Sequence, residues 1–248
     1  MRDELRATGV TARARALWET MAGTPVEFAA LVAVAVSAHS HLCPPGWTGI
    51  VVIDGAAVAV APDPGIARAV QRALDGLPAA SLTDVGLLSA RLHVSQVLGP
   101  ADLAYLDPAD FCPQDGSVPI EALNPNDPEL GDFLAAADPA EVEESGMRGI
   151  TSPAFAVREG GQLAAVAGYC DWPCRTAHFC VLTGVSARGR GLARIASTAA
   201  VGHALRGGML PQWRARLESS KRVARALGFR EVGSQLSICV SADRPPGD

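Results

Sequence analysis

The sequence predicts a mixed α/β fold in which a smaller α/β domain precedes a larger one. Three observations carry that expectation. From Val118 onward, short β-rich runs alternate with helix-length stretches, the pattern of a sheet covered by helices. Earlier in the chain, two β-rich runs flank Asp54-Gly55, the strongest short hairpin signal. Between the halves, Asp107 to Gly116 is rich in Asp and Pro and reads as a linker. The domains are therefore expected at 1–107 and 118–248, joined by 108–117.

In order, Arg2 to Met21 carries Leu5, Val10, Ala14, Leu17 and Met21 near helical spacing, with basic residues between them, and predicts an amphipathic helix. Val26 to His41 predicts a second, more apolar helix, ended by Cys43-Pro44-Pro45-Gly46 because proline cannot continue the hydrogen-bond ladder. His39 and His41 would diverge on such a helix, which favours a solvated or capping role over metal binding. Thr48 to Ile53 and Ala56 to Ala61 form the hairpin around Asp54-Gly55. A helix then starts after Pro62-Asp63-Pro64 and runs through Ile66, Val70 and Leu74 to Gly76. Asp84 to Leu92 predicts a further helix, and His93 to Leu98 a short strand, followed by Gly99-Pro100 and the run Ala101 to Leu106. No catalytic constellation stands out in this half.

Beyond the linker, strands are expected at Val118 to Leu123, Ala154 to Arg158, Leu163 to Cys170, Ala177 to Val185 and Met209 to Ala215, with closing strands at Phe229 to Val232 and Gln235 to Val240. Helices are expected at Pro128 to Ala137, Ala140 to Ser145, Leu192 to Arg206 and Glu218 to Leu227. Glu141, Glu143 and Glu144 read as a solvated face, since consecutive acids on a helix point in different directions.

The chain of 248 residues is long enough for a substantial core, and its formal charge of −5 with a pI near 5.5 argues against nucleic acid as a bulk partner. Its longest apolar stretch, Phe28 to Ala38, falls short of the roughly 20 residues that a spanning helix requires. With no charged leader and apolar core at its start, the expectation is a soluble, cytoplasmic protein with no membrane partner. Of the cysteines at 43, 112, 170, 174, 180 and 239, Cys170 and Cys174 invite a metal reading. No second close pair or nearby His-x-His completes four ligands, so reduced thiols and no metal are expected.

The richest stretch is Val181 to Phe229. An apolar segment passes through an Arg/Gly-rich turn straight into a helix, and such a turn presents unpaired N–H groups at the positive end of the helix dipole. That is an anion site. Arg188, Gly189, Arg190, Gly191, Leu192 and Ala193 fit Arg/Gln-x-x-Gly-x-Gly/Ala, which resembles the pyrophosphate loop of the GNAT superfamily of acyl-CoA-dependent N-acyltransferases. Ser220 to Phe229 is similar to that family's last helix and its Leu-Gly-Phe exit. The segment Val97 to Asp107 is similar to amino-terminal regions of some bacterial GNAT proteins, including relatives of antibiotic-modifying enzymes, which implies a degenerate half-GNAT or helper domain.

The resemblance implies an acetyl-CoA cofactor and a small-molecule amine acceptor, with direct attack in a ternary complex. Leu182, Thr183 and Val185 would offer main-chain groups to the pantetheine. Gly189 to Ala193 would hold the pyrophosphate, with charge-assisted help from Arg188 and Arg190. The oxyanion donor would be a main-chain N–H near Thr183 or within Cys180 to Leu182. For the base, aligning through Thr183 places His178 where relatives carry a glutamate, and Asp171 and Glu121 are the other candidates. The family's usual acid, a tyrosine, is replaced by Ala224, and its helix-start asparagine by Leu217. Ser219 and Ser220 could donate to the pantetheine amide or the thiolate, or serve only as caps. Three readings follow: an N-acetyltransferase, a non-catalytic acyl-CoA-binding module, and an interaction protein whose turn binds another anion. The Ala/Val/Leu-rich amino-terminal helix pair could build either a homodimer surface or a core.

Overall fold

The computed structural model describes residues 2–114 and 118–241, with side chains from residue 9 onward. Residues 115–117 of the expected linker and the side chain of Leu5 lie outside the described residues. In chain order the elements are α1 (Arg2–Met21), β1 (Val34–Val36), β2 (Thr48–Ile53), β3 (Ala56–Ala61), α2 (Pro64–Leu74), α3 (Val85–Ser89), β4 (Val94–Tyr105) and β5 (Ile120–Leu123). They continue with α4 (Pro128–Ala136), α5 (Pro139–Ser145), β6 (Ala154–Glu159), β7 (Gln162–Trp172), β8 (Thr176–Thr183), α6 (Leu192–Arg206), β9 (Leu210–Ala215), α7 (Glu218–Ala226) and β10 (Arg230–Val240). Among the described residues, no helix is long and apolar enough to cross a membrane.

The chain clusters into two compact units: residues up to Ala104 together with those from Glu231 on, and Tyr105–Arg230. The closing strand, expected in a second domain of 118–248, therefore groups with the first unit. The two expected closing strands are the single strand β10, whose Gly233 sits with its Cα against the Val52 carbonyl, where a Cβ would collide at 1.8 Å.

In the first unit the strands lie in the order β1-β3-β2-β10-β4. Asp54 (φ 49°) and Gly55 (φ 72°) make the tight turn between β2 and β3, both in the left-handed region that such a turn demands. Every residue of β2 and β3 is buried, so both sheet faces are covered. Helix α2, capped by the Asp63 carboxylate on the N–H groups of Gly65 and Ile66, lays Ile66, Val70 and Leu74 against Ile50, Val52 and Leu236. The helix expected at Val26 to His41 is absent; in its place β1 pairs parallel with β3. Valines 32, 34 and 36 alternate with smaller residues there, a period-two pattern that a pleated strand uses and a helix does not. His39 lies in a turn and His41 in a bend rather than on a helix.

In the second unit the order is β9-β8-β7-β6-β5. Strands β5 to β8 pair antiparallel in sequence, and β8 pairs parallel with β9. One face packs α4 and α5 through Leu130, Leu134 and Val142 onto Ala156, Val166, Cys180 and Leu182. Helix α6 covers the other face, burying Ile195, Ala196, Ala200 and Ala204. Small residues dominate that stripe and let helix and sheet approach closely.

Candidate functional site

Strands β8 and β9 are paired only at Thr176↔Leu210, Ala177↔Pro211 and His178↔Gln212. Beyond that point Phe179 to Thr183 and Trp213 to Ala215 run on without partners in each other. The first residues past the last pair, Phe179 and Trp213, stack with ring centroids 5.9 Å apart, and Phe229 meets both edge-on at 5.9 and 5.4 Å. Each such aromatic contact contributes about 0.5–1.5 kcal/mol beyond its buried area, so the cluster holds the floor of the gap firmly. A cavity of about 760 Å³ fills the opening, walled by Val181, Leu182 and Thr183 on one strand and by Arg214, Ala215 and Arg216 on the other side.

The cavity opens onto the turn that leads into α6. Gly189 (φ 76°) and Gly191 (φ 77°) hold left-handed conformations that an L side chain rarely adopts, which is why glycine stands at both. Gly191 is the cap of α6, and no side chain caps the helix. Its first N–H groups therefore have no intrahelical acceptor and remain as donors. Arg188, Gly189, Gly191, Leu192 and Ala193 all line the cavity, as do Leu182, Thr183 and Ser219. Two residues assigned to the cofactor by sequence do not. Val185 is 71% exposed, and Arg190 turns to Glu159 at 2.5 Å and to the Ser186 carbonyl at 2.9 Å.

Opposite the turn lies α5. The Asp138 carboxylate accepts from the N–H groups of Ala140 and Glu141, Pro139 opens the helix, and Gly146 closes it at φ 64°. With Val142 fixed in the core, Glu141 and Glu144, three residues apart, share a side that faces the cavity. They are not the solvated face expected from the sequence. Glu141 pairs with Arg188 at 2.5 Å, and Glu144 takes Arg216 through both oxygens, one contact to Nε measuring 2.9 Å. The lining holds five arginines (188, 194, 214, 216 and 222) against these two glutamates, a surplus of three positive charges in a chain of formal charge −5.

Of the expected catalytic residues, Ser220 lines the cavity, while His178, Asp171 and Glu121 do not. Ser220 Oγ accepts from Trp213 Nε1 at 2.9 Å, which leaves its own hydrogen to donate. His178 sits at the last paired register, at the closed end of the gap. It keeps some accessible surface, but Trp172 stacks on its ring at 4.0 Å and its Nδ1 donates to the Gln212 side-chain oxygen. Desolvation, and then the charge of Arg214, hold its pKa down to about 3, too low for an effective proton acceptor at neutral pH. Asp171 is exposed at the end of β7, its backbone N–H bonded to Thr151. Glu121 is bound, with Glu129, to Arg158 on the outer strands. At the two substituted family positions Ala224 is buried and Leu217 is 61% exposed. The sequence reading missed Glu144, Arg214 and Arg216. The signal available was local: Trp213 and Ala215 flank Arg214 with apolar side chains that bury, which sends the arginine between them to the opposite face.

Residues 154–234 match the family model of the GNAT acetyltransferases. Among solved structures, the chain is similar to a GNAT-family protein from Novosphingobium aromaticivorans at 26% identity, covering 58% of this chain and 65% of that one, with a TM-score of 0.46. It is similar to a GCN5-related N-acetyltransferase-like protein from Streptococcus suis at 14% identity, covering 94% and 99% of the two chains with a TM-score of 0.49. It is also similar to YncA from Salmonella typhimurium, solved with its cofactor acetyl-CoA, at 15% identity, covering 54% and 98% with a TM-score of 0.38. The match spans less than two thirds of the Novosphingobium chain. A search of curated proteins found no match.

Proposed function

We propose, from the match of residues 154–234 to the family model of the GNAT acetyltransferases, that the protein moves an acetyl group from acetyl-CoA to the primary amine of a small molecule by direct attack in a ternary complex. The observation that carries the reading is the cavity between β8 and β9, with its surplus of guanidinium groups in an acidic chain and its opening onto the uncapped start of α6. Coenzyme A carries several phosphate charges, and a pocket of that sign and size suits it.

In this reading the N–H groups of Gly189 to Ala193 and the Arg188 guanidinium bind the pyrophosphate, Arg188 exchanging Glu141 for the phosphate oxygens. The unpaired edge at Leu182 and Thr183 receives the pantetheine amides. Bound acetyl-CoA supplies the thioester. Glu144 replaces His178 as the group that accepts the amine's proton, because it lines the cavity and His178 does not. As the C–N bond forms and the C–S bond breaks, Ser220 donates a hydrogen bond to the sulfur, which leaves as a thiolate while the amine's proton passes to Glu144. Its acceptance of the Trp213 N–H polarises the hydroxyl toward donation. A thiolate is a good leaving group, so a serine suffices where relatives use tyrosine.

Calorimetric titration with acetyl-CoA tests the reading. Saturable binding that is lost in Arg188→Glu is expected, and a flat titration of the wild-type protein would overturn it. The buried Ala224 and exposed Leu217 favour a second reading, a sensor that binds acetyl-CoA without turning it over. Binding without thiol release across a broad amine panel would select it.

A further inference from the structure

Six cysteines stand in the chain as free thiols, and two of them meet outside the cavity. Cys170 lies on β7 and Cys180 on β8, both within the second unit. The register sets Cys170 opposite His178 and Cys180 opposite Gly168, so the two side chains leave the sheet on one face as diagonal neighbours. Gly168 presents no side chain across from Cys180, and the thiol leans along the diagonal until the sulfurs are 3.8 Å apart. Among the described residues, no third His, Cys, Asp or Glu joins them in a metal-binding group. The two thiols are unlike. Cys180 is 1% exposed, in the core beneath α4 and α5, whereas Cys170 is half-buried at the margin of that core and donates to the Gly149 carbonyl at 3.0 Å. A hydrogen bond from Cys180 draws the Cys170 pKa below the usual thiol value, by more than its partial burial raises it.

We propose that Cys170 and Cys180 form a peroxide-sensitive modification site, at which Cys170 is oxidised first and Cys180 resolves it to a disulfide. The site stands apart from the acetyltransferase reading and does not depend on it. The Cys170 thiolate attacks one oxygen of hydrogen peroxide, the O–O bond breaks, and Cys170 becomes a sulfenic acid while the departing hydroxide takes up the proton that the thiol gave up. The Cys180 sulfur then attacks the Cys170 sulfur, and its own proton leaves with the hydroxyl as water. Two thiols and one peroxide thus become one disulfide and two waters, the sulfurs oxidised and the peroxide oxygens reduced. Bond formation takes the sulfurs from 3.8 Å to about 2.05 Å. Diagonal neighbours begin roughly 7–8 Å apart at Cα, just past the usual disulfide span of about 4.4–6.8 Å, so closure draws the two strands together and small thiols should reopen the bond readily. The segment that closes α5 lies against the pair: a Cβ on Gly146 would stand 3.1 Å from the Cys180 sulfur, and one on Gly149 would stand 3.7 Å from that of Cys170. Glycine at both positions leaves the sulfurs room to approach.

The experiment treats the folded, full-length protein with a small excess of hydrogen peroxide, caps the remaining thiols with N-ethylmaleimide under denaturing conditions, and maps tryptic peptides by mass spectrometry. Cleavage after Arg175 puts the two cysteines on separate peptides, 159–175 and 176–188. A link between those peptides is expected, absent before oxidation and removed by dithiothreitol. Cys174 shares the first peptide, so Cys174→Ser should keep the link while Cys170→Ser and Cys180→Ser lose it. In Cys180→Ser a sulfenic acid should persist at Cys170 and be trapped by dimedone. Peroxide that leaves both thiols free, carries Cys170 to sulfinic acid without a link, or joins the peptides through Cys174 overturns the proposal. So does a link that forms only in urea.

Discussion

Replacing Glu141 with glutamine should make acetyl-CoA bind more tightly. In the free protein the Glu141 carboxylate holds the Arg188 guanidinium at 2.5 Å, so a phosphate that claims the same group must first displace it. The two side chains are 39% and 46% exposed, and a pair that open contributes at most about 1 kcal/mol. Releasing Arg188 and removing a negative charge from beside the phosphates therefore strengthens binding by about two- to fivefold at low ionic strength. The gain should shrink in high salt, where the Debye length falls to about 3 Å at 1 M. The neighbouring pair supplies the control. Arg190 and Glu159 are also 2.5 Å apart, yet neither lines the cavity, so Glu159→Gln removes the same charge and should leave the affinity unchanged. Calorimetry at two salt concentrations measures all of this. Unchanged or weaker binding by Glu141→Gln, or an equal gain in Glu159→Gln, would refute the argument that Arg188 is exchanged between carboxylate and phosphate.

Three further outcomes can be checked on purified protein. Ser220→Ala should lower kcat about tenfold with acetyl-CoA affinity unchanged, because it removes a donor used only as sulfur departs; an equal loss of affinity would make Ser220 a cofactor contact instead. Gly191→Ala should lower stability by about 1–2 kcal/mol, since alanine must hold φ 77°, and calorimetric melting would register it; the nearest atom to the new methyl is 4.0 Å away, so the cost comes from the backbone alone. His178 has its folded pKa depressed below its unfolded value of about 6.5, so the folded state binds fewer protons than the unfolded one in acid. Its contribution is intact above pH 6.5 and is lost as pH falls toward about 3. Melting temperature should therefore drop less between pH 7 and 4 in His178→Gln than in the wild type, and identical slopes would contradict the burial argument.

What the sequence made legible was mostly local. The bounds of α6 follow from glycine on either side of a helix-length run, Asp63 caps the helix it was expected to start, and Asp54-Gly55 turns the hairpin. The error at residues 26–41 came from weighing apolar content over period, since alternating valine and alanine satisfy either element until the spacing is counted. The site was legible where backbone conformation dictates residue type, at Gly189 and Gly191. It was not legible where function depends on the direction of a side chain in space. The orientation of α5 is set by Val142 meeting Cys180 and Leu182 from a distant strand, and no local rule announces that Glu141 and Glu144 then turn inward. Nor could spacing reveal that burial against Trp172, and then the charge of Arg214, take away the basicity of His178.

The position of β10 bears on how the chain comes to be folded at all. It stands between β2 and β4, so the sheet begun by the earliest strands stays divided until almost the last described residues have been synthesised. Tyr105–Arg230, whose strands pair largely in sequence, is synthesised before β10 and makes those pairs without it. The amino-terminal hairpin must wait with an unsatisfied edge, and closing it joins residues as far apart as Thr48 and Ile238, a slow step by the entropy of loop closure. Birth order and folding order thus run in opposite directions, and the interval between them is when this protein is most exposed to chaperones, proteases and its own neighbours.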